Sequence, residues 1–265
     1  MSRASVQIEP LPLMRRLETD IGWLAKKTDA IIGLLEIDVT EARQRIHALE
    51  SMTGESFSFT AFVVGCVARA VDEQKQVHAI HDWRGRVFIY DDVDITTMIE
   101  IEADGKKTPV GRIIRGANHK TLRQLQDEIR GVQVAQSHSG EAQMVRRLAR
   151  IPRPLRRLLM YVMFRTPSLS KQLRGTVVVT AVGMFGKGGG WAVALPSHSL
   201  IIFVGGIAQK PGVIDGQIAI RDYLHLTVGF DHAVVDGAPA ARFAAHLREL
   251  IEDGYGLPDA VSSTD

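Results

Sequence analysis

Cysteine is almost absent from this sequence: among 265 residues only Cys66 carries a thiol. That count argues against a disulfide scaffold and a thiolate zinc site, and a reducing, cytoplasmic setting is expected. Cys66 stands in the apolar run Phe62, Val63, Val64 and Val67 and reads as a packing residue. Long hydrophobic runs are missing too. Leu158 to Phe164 falls far short of the roughly 20 residues a membrane span needs, and Met1 to Pro10 lacks the apolar stretch of a secretion signal. Neither sign of charge dominates. Lys and Arg number 32 against 30 Asp and Glu, a formal charge of +2 with no overall basic footprint, so no nucleic-acid partner is expected. Internal repeats, low-complexity tracts and Pro/Ala-rich linkers are also lacking. What is present is 45% hydrophobic residues in a length that buries one large core, so residues 1–265 are expected to form a single domain.

Strand and helix patterns mix without regular alternation. Apolar or alternating runs predict strands at 34–39, 86–90, 94–102, 176–181, 199–208 and 218–230. Helices are expected after Asp38 or Thr40, after Ser58 or Thr60, after Lys120 and after Asp236. Ser- and Gly-containing stretches at 51–56 and 186–190 read as loops.

The run Phe230-Asp231-His232-Ala233-Val234-Val235-Asp236-Gly237 carries the most chemistry. It places His232 at the end of an expected strand, four residues before Asp236, with a helix to follow. Imidazole is the side chain best matched to proton transfer near neutral pH, and a strand end holds such a base firmly. Gly237 is expected to permit the sharp turn. Two plainer readings stand beside this one. His232 serves equally as a hydrogen-bonded strand-end residue, and Asp236 as a helix N-cap. The remaining histidines, at positions 47, 78, 81, 119, 138, 198, 225 and 246, show no metal-ligand spacing.

This run resembles the H-x-x-x-D-G motif of the chloramphenicol acetyltransferase-like acyltransferases, which include the catalytic domains of the 2-oxo-acid dehydrogenase acyltransferases. Further stretches, in family order, are similar to that family. Gly175-Thr176-Val177-Val178-Val179-Thr180-Ala181-Val182-Gly183-Met184-Phe185-Gly186 is similar to the run G-T-F-T-I-S-N-L-G-M-F-G. Gly105 to Val110 looks like the G-L-x-x-P-V strand, and Arg15-Arg16 precedes Glu36-Ile37-Asp38-Val39-Thr40 as an arginine precedes E-V-D-V-T. The anchors span most of residues 12 to 255, and they cover only a catalytic domain, without a lipoyl or subunit-binding domain.

The resemblance implies an α/β (α+β) fold, a chloramphenicol acetyltransferase-like mixed-sheet sandwich with flanking helices. It implies coenzyme A as acyl-CoA substrate, no metal and no covalent lipoyl group on this chain. His232 would be the general base and Thr180 the oxyanion donor. Asp236 would pair with Arg15 or Arg16 and shape the loop with Gly237. It also implies a homotrimer, or a multiple of trimers, with these residues facing each other across a subunit boundary. The acceptor would be a dihydrolipoyl thiol, on a separate lipoyl or other acidic carrier protein, or a small hydroxyl or amine. Ala181 departs from the family's Asn and removes a polar contact, which leaves a weakly catalytic oligomeric scaffold as the alternative.

Residues 141–174 also depart from the family. They hold nine of the 32 basic residues and one of the 30 acidic ones. Pro152 and Pro154 are expected to break this stretch into short helical pieces. It reads as a basic amphipathic insertion with its apolar side on the domain and a solvated basic face. The sharper reading is a docking surface for an acidic carrier, CoA phosphates or a peripheral membrane contact.

Overall fold

Alternate residues of the longest strands are aliphatic, and that alternation builds a sheet with one fully buried face. The computed structural model describes residues 11–103, 106–134, 147–183 and 188–258. Its main sheet holds β1 (Ala30–Asp38), β4 (Ile95–Ala103), β5 (Lys106–Ile114), β6 (Val177–Ala181), β7 (Leu200–Ile214) and β8 (Gln217–Asp231). Their order is β1-β8-β7-β6-β4-β5. β6 lies parallel to both neighbours and the other pairs are antiparallel. β2 (Ile80–His81) and β3 (Val87–Phe88) form a separate ribbon.

The helices are α1 (Leu13–Ala25), α2 (Thr40–Thr53), α3 (Phe59–Glu73), α4 (Leu122–Val134), α5 (Arg153–Phe164), α6 (Pro167–Arg174) and α7 (Gly237–Glu252). α3 begins at Ser58, whose hydroxyl accepts from the Ala61 amide at 3.3 Å. It is buried almost all round and packs against α4 and α7. Leu224, Leu226, Val228 and Phe230 of β8 join Leu200, Ile202 and Val204 of β7 in the core that α3 and α7 cover. Val178, Ile201 and Phe203 point to the other face, where Ala192 packs on them. This is the mixed sheet with flanking helices expected of the α/β (α+β) class. Cys66 is buried in the core with Sγ 3.7 Å from the Leu250 carbonyl, and burial pushes its thiol pKa up.

Several expectations need correction. The loop placed at 51–56 starts later, because α2 continues to Thr53 and ends on Gly54 in the left-handed region, φ 68°. β7 runs to Ile214, through Pro211. β6 pairs with β7 only from Leu200 to Val204, so among the described residues Pro211 lies where one edge of β7 has no strand beside it and its missing amide costs little. One expectation stands: the prolines break the basic segment, since the helical turn at 147–150 stops before Pro152, which is the N-cap of α5, and Pro154 sits in the first turn of α5.

The orientation of that segment is also reversed. Arg156 is buried, with Nε 2.5 Å from Oδ2 of Asp20 on α1, and Arg157 Nε lies 2.8 Å from Oδ1. Arg153 approaches the same carboxylate at 3.8 Å. Burial works against the charged form of Asp20, yet hydrogen bonds from Arg157 and Arg156 outweigh it and hold its pKa low. The apolar residues Leu155, Leu158, Leu159, Tyr161 and Val162 are the exposed ones. Residues 141–146 lie outside the described residues.

Candidate active site

β8 delivers its last residues to the end of the sheet where β7 begins: Phe230 pairs with Leu200, and Asp231 with Ala30 of β1. Phe230 also meets Phe243 of α7 edge to face, centroids 5.7 Å apart, which ties the strand exit to the helix from inside. Asp231 then builds the turn. Its carbonyl accepts from the amides of Val234 at 2.9 Å and Val235 at 3.0 Å, and its carboxylate accepts from Ala233 N at 3.0 Å. The His232 amide donates to the Asp29 carbonyl at 2.6 Å. The backbone of His232 is held on both sides, while its side chain is 51% exposed.

Asp236 lies 3.7 Å from Nδ1 of His232 and is 83% exposed. That separation exceeds a hydrogen bond and suits an ion pair once the ring is protonated. Asp236 is the N-cap residue of α7, but its side chain makes no capping bond. Gly237 does not play the part expected of it. It is the first residue of α7, its φ is not positive, and an added Cβ would meet nothing within 4 Å. Within the chain the turn needs no glycine there, because Asp231 and the 232–235 backbone make it. Arg15 pairs with Glu18 at 2.9 Å and Arg16 Nε donates to the Leu11 carbonyl at 3.2 Å. The chain itself therefore does not bring either arginine to Asp236.

Thr180 sits near the far end of β6. Val177 and Val179 enter the main core, so strand alternation places Val178 and Thr180 on the opposite face. Its hydroxyl makes no hydrogen bond among the described residues. Thr180 pairs with Phe203, which pairs with Thr227 on β8, five residues before His232 and two strands across. At ~3.3 Å per residue and ~4.8 Å per strand, His232 and Thr180 stand roughly 20 Å apart in the chain. Ala181 faces the main-core side and lines a cleft of about 480 Å³ with Phe57, Arg43, His47 and Gly183. A Cβ at Gly183 would fall 1.9 Å from the Gly205 carbonyl oxygen, so only glycine allows the segment after β6 to approach β7 this closely. Met184, Phe185 and Gly186 lie outside the described residues.

The other histidines hold structure together. His78 is buried between Thr176 Oγ1 at 2.8 Å and the Tyr90 carbonyl at 3.1 Å, and burial lowers its pKa to about 4. His225 is buried against Trp191, with Nδ1 2.9 Å from the Gly206 carbonyl. His47, His119 and His246 lie beside Glu50, Asp92 and Glu73 at 3.2, 3.4 and 2.6 Å, and His138 lies outside the described residues. Among the described residues no group of three His, Cys, Asp or Glu could hold a metal.

The family profile described as 2-oxoacid dehydrogenases acyltransferase (catalytic domain) matches residues 148–257, from just before α5 to the end of α7. The chain is 26% identical over 247 residues to the Bacillus subtilis lipoamide acyltransferase component of the branched-chain alpha-keto acid dehydrogenase complex, covering 90% of this chain and 49% of that one. The chain thus spans about half the length of the curated relatives it matches. Solved structures establish the fold. A probable dihydrolipoamide acetyltransferase from Listeria monocytogenes superposes with a TM-score of 0.71 at 19% identity, over 99% of both chains. The dihydrolipoamide acetyltransferase of Azotobacter vinelandii, described for the role of a serine, a histidine and an asparagine in its catalytic mechanism, gives 0.69 at 20%, over 93% of this chain and 92% of that one. Chloramphenicol acetyltransferase gives 0.52 at 16% identity, over 94% and 98%.

Proposed function

We propose that the protein is a CoA-dependent acyltransferase, moving an acyl group between CoA and an acceptor thiol of the dihydrolipoyl type or a small hydroxyl or amine. The observation that carries this reading is the His232 turn: backbone fixed on both sides, imidazole open to solvent at a sheet end. The names of the relatives supply the reaction class, and the histidine and serine named for the Azotobacter enzyme support pairing His232 with a hydroxyl.

His232 takes the proton from the acceptor, whose heteroatom attacks the thioester carbonyl. The carbonyl oxygen gains the electron pair and is held by the Thr180 hydroxyl. Collapse breaks the carbon–sulfur bond, and the departing CoA thiolate recovers the proton from the imidazolium. General base catalysis contributes ~10²–10⁴ in rate, and an oxyanion donor roughly 3 kcal/mol.

Two groups roughly 20 Å apart in one chain cannot meet in one site. The reading therefore requires His232 of one protomer to face Thr180 of the next in a homotrimer or a multiple of trimers, a closed ring of identical contacts. Ile32 and Leu34, exposed on the Thr180 face, are the apolar surface a neighbour would cover. Asp236 would there receive Arg15 or Arg16. A separate lipoyl or other acidic carrier is the proposed partner, in the cytoplasm. Ala181 favours a second reading, a weakly catalytic scaffold, because it leaves an apolar methyl where the family has an amide.

The test is CoA release from acyl-CoA with dihydrolipoamide and a panel of small alcohols and amines. His232→Ala should lower turnover at least ~10²-fold with folding intact. Unchanged turnover in the variant contradicts the mechanism, and a native protein inert toward the whole panel supports the scaffold.

A further inference from the structure

A second cavity, of about 90 Å³, lies against the base of the His232 turn, between the α1–β1 connection, α5, α6 and the sheet end that carries Asp231. At ~10–15 Å³ per water on this measure, it has room for several waters or one small polyatomic ion. Lys27, Arg165 and Arg174 all line it. Among the described residues, none of the three is paired with a carboxylate.

The partners of these cations carry no negative charge. Arg174 stacks over Phe164 at 3.5 Å, donates to the Ser197 carbonyl and lies 3.2 Å from Nδ1 of His198. Burial pushes its pKa down to about 9, a sign that nothing nearby compensates the charge. Burial, with Arg174 beside it, also lowers the pKa of His198. Arg165 Nη1 is 2.8 Å from Nδ1 of His81, and Lys27 Nζ sits 4.2 Å over the Trp23 ring. Asp231 is the one carboxylate in the wall, and it is engaged: Oδ1 holds Ala233 N, and Oδ2 is 3.6 Å from His81. The same helix shows the contrast, since Arg156 and Arg157 share the buried carboxylate of Asp20. Arg165 and Arg174 are half-buried and Lys27 is exposed. A cation partly withdrawn from water without a counter-charge is costly, and two guanidinium forks on one small cavity match the geometry of a carboxylate or phosphate group.

We infer that this cavity binds a small oxyanion, a carboxylate or phosphate group, held by Arg165 and Arg174 with Lys27 completing the charge. The inference does not rest on the acyltransferase reading. The group can arrive as a free anion or as part of a larger molecule such as CoA. Arg165 and His81 connect the site to Asp231, so its occupant would sit one residue from the turn that carries His232.

Binding is measured calorimetrically on the whole chain with inorganic phosphate and, separately, succinate, at an ionic strength held constant with sodium chloride. At least one of them should bind saturably to the native protein, and at least ~10-fold more weakly to Arg165→Gln. Arg174→Gln removes a packed side chain, so the half-buried Arg165 carries the test, with Lys27→Gln as a second, milder variant. Competition between CoA and the anion would assign the group to CoA, and simultaneous binding would assign it to a free anion. Absence of saturable binding of both probes, or native affinity in Arg165→Gln, would overturn the site. No turnover is measured, so this outcome is independent of the acyl-transfer test.

Discussion

At Thr180 the proposed chemistry depends on one oxygen atom. Thr180→Val keeps the β-branched shape that suits a strand and removes only the hydroxyl. Turnover should fall by ~10²–10³ while the Michaelis constant for the acyl donor changes little, the pattern of an interaction made mainly in the transition state. Thr180→Ser should retain most of the rate, and a Thr180→Val enzyme as fast as the native one would remove this residue from the mechanism. His232 was legible in the sequence because a titratable residue stood at the end of a patterned strand inside a motif. Asp231 was not assigned its part, although an Asp two residues before a turn amide is a recognisable signal. Gly237 misled for the opposite reason. A glycine in a sequence suggests a special backbone, and here it is the first residue of an ordinary helix.

Among the elements, α5 docks its arginines on α1 through one carboxylate. Asp20 is fully buried among Arg153, Arg156 and Arg157, and removing its charge strands a buried guanidinium. Asp20→Asn should cost about 3–5 kcal/mol. For a domain of this size that corresponds to a fall in melting temperature on the order of 10 °C. A shift of a degree or less would show that α5 is held by other contacts. Local pattern located much of the fold: the helix starts after Asp38 or Thr40, Ser58 or Thr60, Lys120 and Asp236, and five of the six strands of the main sheet, β5 being signalled only by the family resemblance. It could not show that α1 exists to receive α5, because Asp20 and Arg156 are joined only by tertiary structure. Nor could it orient α5. A helix rich in both Arg and Leu reads as apolar side inward, and here a buried acid draws arginines inward while the leucines face out.

Over the whole molecule, stability and assembly follow from buried groups and from the distance between the two halves of the site. His78 has an ordinary pKa of 6.5 and a folded value near 4, because burial disfavours its charged form. Between those values the unfolded chain binds a proton that the folded one does not, so stability falls as pH drops from about 6.5 to about 4. At ~1.4 kcal/mol per unit the loss approaches ~3 kcal/mol, and the lowered pKa of His198 works in the same direction. Urea midpoints followed across that range should decline in the native protein and decline less steeply in His78→Gln. Parallel profiles would contradict the assignment.

The central claim is that one chain holds two halves of different sites, His232 for one and Thr180 for the next. The most direct measurement is the activity of oligomers formed from co-expressed His232→Ala and Thr180→Val chains, each inactive alone. If the site crosses the subunit boundary, random assortment restores about a quarter of the native activity, because some interfaces then join an intact histidine to an intact threonine. If both residues served the same site from one chain, every site would keep one defect. Activity remaining at the level of the single variants in verified mixed oligomers would contradict the account.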